Sequence, residues 1–162
     1  KAIRFEESKT RPMGRSASGV RGIKLKDDND KVIGMVSVND VSTDILVVSK
    51  NGYGKRSSLD DYRITNRGGK GVKTISITDK TGSLVAIKNV SDENDLMIIN
   101  KSGIAIRMSV EKLRVMGRAT QGVKLINLKG EDTIAAVAKV IKEEESNEDT
   151  QENLLENEDL SL

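Results

Sequence analysis

The chain has 162 residues, the length of one ordinary domain, and contains no Cys and no His. That inventory excludes disulfides, the usual zinc, haem and iron–sulfur ligand sets, and nucleophilic catalysis by a Cys–His or Ser–His pair. The formal net charge of +2 conceals a split: residues 1–142 hold all 27 Lys and Arg against 16 acids, which is +11, and residues 143–162 hold nine acids and no cation, which is −9.

A body at +11 attracts polyanions such as nucleic acid or an anionic membrane surface. No run approaches the ~20 apolar residues that span a bilayer, and no apolar signal-peptide core opens the chain. The absence of Cys fits a reducing cytoplasm. Phe5, Tyr53 and Tyr62 are the only aromatic residues, so base stacking is not a main mode of binding.

Taken in order, the chain repeats one unit at a period of 50–52 residues. The first unit, residues 1–41, holds Ile3-Arg4-Phe5, then Arg15-Ser-Ala-Ser-Gly19-Val20, and closes on a predicted strand at 32–36. It lacks an opening strand and begins with Lys1 inside the pattern, so the sequence reads as a piece of a longer chain. The second unit, 42–92, has predicted strands at 45–49, 54–57, 72–78 and 84–90. Asn51-Gly52 and Thr81-Gly82 supply turns, and a helical turn capped by Ser58 is expected at 58–62. Residues 45–48 are a continuous run rich in β-branched side chains, suited to a strand buried on both faces, and 72–78 alternates as a half-buried strand does. The third unit, 93–142, repeats these features at 95–99, 106–108 and 134–138, with a second helical turn expected at 109–113. Residues 143–162 are expected to form a disordered acidic tail, since four leucines cannot bury enough surface to offset the entropy of ordering. Repeated four-stranded units of about 50 residues predict an all-β, propeller-like fold of about three blades, the first incomplete.

The sharpest motif is Asn66-Arg67-Gly68-Gly69-Lys70-Gly71. Three glycines in four positions let the backbone take positive φ and approach a phosphate, with Arg67 and Lys70 supplying charge and Lys73 adding a third cation. Arg15 and Arg118 fall at the position of Arg67 in the other units. Two readings stand: a bare turn between strands, or a basic track along one rim that holds duplex by its phosphates. Lys55 and Arg56, with Arg4 and Arg107 at equivalent sites, could extend the track or stand as solvated outer-strand residues. Arg63, Arg11 and Arg114, just before the turns, share that ambiguity. The spacing matches neither a Walker A loop nor a dinucleotide fingerprint. The acidic pairs Asp27-Asp28, Asp60-Asp61 and Asp92-Glu93 fall in turns and read as solvated acids. Tyr53 and Tyr62 read as packing residues or hydroxyls for phosphate rather than nucleophiles.

The basic turn resembles the QRRGGKG box of the DNA gyrase A subunit, with Thr65-Asn66 in place of the leading Gln-Arg. Asn51-Gly-Tyr-Gly-Lys-Arg56, Asp61-Tyr-Arg63 and Met116-Gly-Arg-Ala-Thr-Gln-Gly-Val123 are also similar to the last blades of that subunit, in the same order. The likeness covers residues 1–141. It implies a β-pinwheel, a propeller-like disc with strand exchange between blades, that wraps double-stranded DNA around a basic rim without strong sequence preference. It implies no catalytic residue, metal or cofactor in this segment: ATP and Mg are used elsewhere in a complex of the gyrase A catalytic core and gyrase B subunit. The box residues carried over are Arg67, Gly68, Gly69, Lys70 and Gly71. The family's box belongs to a first blade, whereas this one lies in the second unit. The topoisomerase IV A subunit has a related domain, and a propeller docking an acidic protein is the remaining alternative. If the tail competes in cis for the basic body, truncation after Lys142 raises duplex affinity at low salt; unchanged affinity in a titration would reject the competition.

Overall fold

The computed structural model describes residues 1–142. The acidic tail expected at 143–162 lies outside the described residues. Among the described residues, seven strands form two antiparallel sheets. The first contains β1 (Asp44–Ser49), β2 (Tyr53–Ser58), β3 (Leu84–Val90) and β6 (Val123–Lys124), in the order β3-β1-β2-β6. The second contains β4 (Asn94–Asn100), β5 (Ala105–Ser109) and β7 (Ile134–Ile141), in the order β5-β4-β7.

The repeat is visible in the ladders. β1 pairs with β2 and β3, and β4 pairs with β5 and β7, each opening strand lying between its two partners. Both opening strands break register at the same place, between Val48 and Ser49 and between Ile99 and Asn100. The next amide donates to the closing segment in each case, Lys50 N to Ser83 O at 2.7 Å and Lys101 N to Thr133 O at 2.9 Å.

The first sheet takes its fourth strand from the following unit: β6 pairs with β2 through Gly54–Val123 and Tyr53–Lys124. The same exchange joins the first two units, as a bridge between Ala2 and Val72. The strand predicted at 72–78 is therefore not a regular strand of its own blade. Its pairing stops after Val72 because the chain turns inward. Thr74 and Ile75 are buried, and the Thr74 and Tyr62 hydroxyls share a 2.6 Å hydrogen bond.

Strand β1 lies in the interior because one face packs on the third unit and the other on the turn and inward segment of its own unit, with the first unit at the margin. Leu46 and Val48 join Leu96, Ile98, Val110, Ile134 and Val137 in one apolar cluster. Ile45 and Val47 join Leu59, Tyr62 and Ile75 in another, with Ala2, Val36 and Val72 at its margin. The continuous run at 45–48 is thus buried on both faces, which removes the alternation that marks a half-solvated strand.

The helical turn expected at 58–62 is a 3₁₀ turn, Leu59–Asp61, whose Asp60 amide donates to the Ser58 hydroxyl. The counterpart expected at 109–113 is only a turn, closed by Leu113 N to Val110 O at 2.8 Å. Residues 32–36 form no strand, and Val32 and Met35 are exposed. Closing strands here are held by opening strands, and among the described residues none pairs with 32–36. A short 3₁₀ turn at Glu7–Lys9 has no sequence signal.

Candidate nucleic-acid interface

Arg67 and Arg118 occupy the same structural position. The Arg67 guanidinium donates to the Arg21 carbonyl (3.4 Å), and the Arg118 guanidinium donates to the Lys73 carbonyl (2.9 Å). Arg21 and Lys73 are themselves one repeat apart. A second recurring bond runs the other way, from Lys24 N to Gly69 O (2.8 Å) and from Ser76 N to Thr120 O (3.0 Å). Each turn is therefore seated on the backbone of the unit before it. The turns at 14–17 and 117–120 also close alike, through Ala17 N to Gly14 O and Thr120 N to Gly117 O.

The glycines of the motif serve this seating. Gly71 has φ +67°, and a Cβ there would lie 2.4 Å from the Ala2 carbonyl oxygen. Gly122, one repeat later, has φ +84° and would meet the Gly54 carbonyl oxygen at 2.5 Å. Bare backbone is needed where the exchanged strand crosses to the neighbouring blade. The Gly68 amide donates to the Gly22 carbonyl at 2.6 Å, so that N–H is already engaged within the fold.

The structure separates the basic residues into two classes. Arg56 and Arg107 are held by carboxylates. Arg56 bonds Asp44 and Asp92, both at 2.5 Å, and Arg107 bonds Asp95 at 2.8 Å. Burial works against the Arg56 charge, but the hydrogen bonds to Asp44 and Asp92 overcome it and raise its pKa. The Arg56 guanidinium also donates to the Val110 carbonyl (3.4 Å), as Arg4 does to the Leu59 carbonyl (3.1 Å) one unit earlier. For Arg56 and Arg4 these are junction contacts between units, not the solvated strand positions or the rim positions expected, whereas Arg107 stays exposed on β5 and pairs with Asp95 of its own unit.

Lys55 departs furthest from expectation. It is 1% exposed, and its ammonium donates to the Gly117 carbonyl (2.8 Å), the Arg118 carbonyl and the Thr120 hydroxyl (3.4 Å). Burial pushes its pKa down to about 8. Sequence alternation could not reveal this, because the side chain reaches into the next unit across 62 residues of chain. Tyr62 is likewise buried, its hydroxyl bonded to Thr74, and burial raises its pKa. Tyr53 packs beneath the Lys80 ammonium, 5.5 Å from the ring centroid.

The second class lies on the turns. Arg15, Arg63, Lys70 and Lys73 are exposed, and Arg67 and Arg118 are half-buried. Among the described residues none of these six is in a salt bridge. Arg21, Lys73 and Lys124 form a further recurring set. Each stands two residues after the turn's last glycine, and all three are exposed. The motif at 66–71 draws attention to Lys73 alone, although the 50–52 residue period aligns Arg21 and Lys124 with it.

The family described as "DNA gyrase C-terminal domain, beta-propeller" matches residues 1–39, 43–91 and 94–141. The chain belongs to the DNA gyrase C-terminal domain family. It is 48% identical over 160 residues to the DNA gyrase A subunit of Staphylococcus aureus strain NCTC 8325 / PS 47, and 47% identical over 156 residues to that of strain MRSA252. Those alignments cover 97% and 95% of this chain, which spans 18% of the length of each relative. A solved DNA gyrase A C-terminal domain superposes with a TM-score of 0.76 at 29% identity, over 85% of this chain and 46% of the other. The C-terminal domain of a DNA topoisomerase IV gives 0.79 at 19% identity, over 95% and 47%, a likeness of fold. The all-β, propeller-like architecture read from the repeat, and the pinwheel that the resemblance implied, are those of the gyrase family domain.

Proposed function

We propose that this gyrase-family domain binds duplex DNA along the basic turns and bends it around the edge where they lie. The supporting observation is the division of cations just described. Arg56 and Arg107 on the strands are neutralised by Asp44, Asp92 and Asp95, whereas the side-chain charges of the turn cations meet no carboxylate among the described residues. Such cations, recurring once per unit, present a curved, sequence-blind surface to phosphates, which release condensed counterions on binding. Curvature of the surface stabilises a bent duplex. The proposed contact set is Arg15, Arg67, Lys70, Lys73 and Arg118, with Arg63, Arg21 and Lys124 beside them. Lys55, Arg56 and Arg107 are left out, since their donors serve the fold.

In a longer protein of the gyrase A kind, the wrapped duplex would be handed to a type IIA topoisomerase core in the cytoplasm. Strand passage there, with ATP and the gyrase B subunit, would introduce negative supercoils. Metal, ATP and the reacting tyrosine would belong to that core.

The direct test is salt dependence. With about five phosphates neutralised, log K against log salt should fall with a slope of roughly −4 to −5 for unrelated duplex sequences. A slope near zero, or equal competition by an acidic peptide, would reject DNA as the ligand.

A further inference from the structure

Lys55 is the one buried cation among the described residues. The repeat gives it a control within the same chain, because Ile3 and Ile106 stand at its position in the other two units. At the first junction Ile3 lies beneath the turn, its Cδ1 3.5 Å from where a Cβ on Gly69 would sit. An apolar side chain therefore suffices to pack that position. At the second junction the chain carries an ammonium instead, at the desolvation cost of a buried charge.

The ammonium is placed to fix one turn. It holds the carbonyls of Gly117 and Arg118, while the Asp61 carboxylate accepts from the Arg118 amide at 3.2 Å. Two side chains of the second unit thus grip the peptide groups on either side of the Arg118 Cα. That residue's guanidinium then reaches back to the Lys73 carbonyl. The charged groups acting on Lys55 are Asp61, Arg118 and Lys73, the last two being turn cations.

We propose that Lys55 is a positioning residue for phosphate binding, an internal ammonium that fixes the turn at 117–120 and so holds Arg118 on the basic edge. The proposal rests on the DNA-binding reading and adds a residue that touches no phosphate. It carries a pH signature of two opposite signs. Lys55 has a pKa of about 8 in the folded chain against 10.5 for an ordinary lysine. Between those values the unfolded chain holds a proton that the folded chain has released, so the stability contribution of Lys55 rises with pH. Duplex affinity falls over the same range, because a neutral amine loses a donor and the charge that fixes the turn.

The experiment uses the whole chain and a labelled linear duplex at low salt. Binding is measured between pH 7 and 9.5 for the unaltered protein, K55I, R118A, the double variant and K70A. The unaltered chain should lose about threefold to fivefold in affinity across that range, and K55I should be flat. At pH 7, K55I should bind about threefold to tenfold more weakly, and this loss should vanish in the R118A background. Equal losses with and without Arg118, or full affinity in K55I, overturn the proposal. Should K55I fail to fold by circular dichroism, the comparison of unaltered protein with R118A decides: a pH-dependent loss of the same size in both overturns it. If the unaltered chain binds no duplex, the DNA reading fails and takes this inference with it. If K70A weakens binding and K55I does not, only the role of Lys55 fails.

Discussion

Gly122→Ala should destabilise the chain by about 3 kcal/mol and lower its melting temperature by about 10 °C. Two costs combine at this residue. Its φ of +84° is a conformation that a Cβ disfavours by about 1–2 kcal/mol. The added Cβ would also sit 2.5 Å from the Gly54 carbonyl oxygen and 3.3 Å from the Lys55 Cβ. The clash falls on the Gly54–Val123 pair, which joins β6 to the preceding blade. Gly19 separates the two costs, since it has φ +80° with nothing within 4 Å, so Gly19→Ala should cost only the strain. Gly14 has open space and no positive φ, so Gly14→Ala should melt with the unaltered protein. Thermal melts of the three variants check the order. A Gly122→Ala chain as stable as Gly14→Ala would show that strand exchange does not hold the units together as described.

The second large effect concerns binding rather than folding. Arg67→Ala combined with Lys70→Ala should weaken duplex affinity about tenfold to a hundredfold, alike for unrelated sequences. The salt slope should become shallower by about 2, one for each lost phosphate contact. Lys70→Ala is the cleaner arm, because Lys70 is exposed, whereas Arg67 also donates to the Arg21 carbonyl. Circular dichroism and melting of both variants separate lost contacts from a loosened turn. A double variant that keeps the full slope would place the DNA path away from this turn.

How much of this is legible in the sequence depends on the range of the interactions. The 45–48 run announces a doubly buried strand because both faces of β1 need apolar side chains, and composition alone carries that message. The Ser58 cap and the Asn51-Gly52 turn are legible because they act within a few residues. The strand expected at 72–78 fails in the structure: its alternation is local, but its pairing is with Ala2 of the preceding unit. Residues 32–36 fail in the reverse sense, having the residues of a closing strand and no opening strand to pair with among those described.

The basic residues show the same boundary more sharply. Sequence spacing places Arg15, Arg67 and Arg118 in equivalent turns, and for the latter two the structure bears out the equivalence bond for bond. Spacing also aligns Arg4, Arg56 and Arg107, yet it cannot tell a cation facing solvent from one facing a carboxylate. Asp44 meets Arg56 only because β1 and β2 pair in one register, and Asp92 meets it from the far end of β3.

By itself, the sequence determined the repeat, the all-β class, the charge split and the identity of the turns, because each is a matter of residue type and period. The tertiary structure alone decided which cations are spent inside the fold and which keep no carboxylate partner among the described residues. It did so through hairpin register, which brings Asp44 to Arg56 and Asp95 to Arg107, and through strand exchange, which carries each turn onto the backbone of the unit before it and buries Lys55 beneath Gly117 and Arg118. Charge is a property of a residue, but its availability depends on what lies opposite, and here that is supplied by segments 12 to 62 residues away.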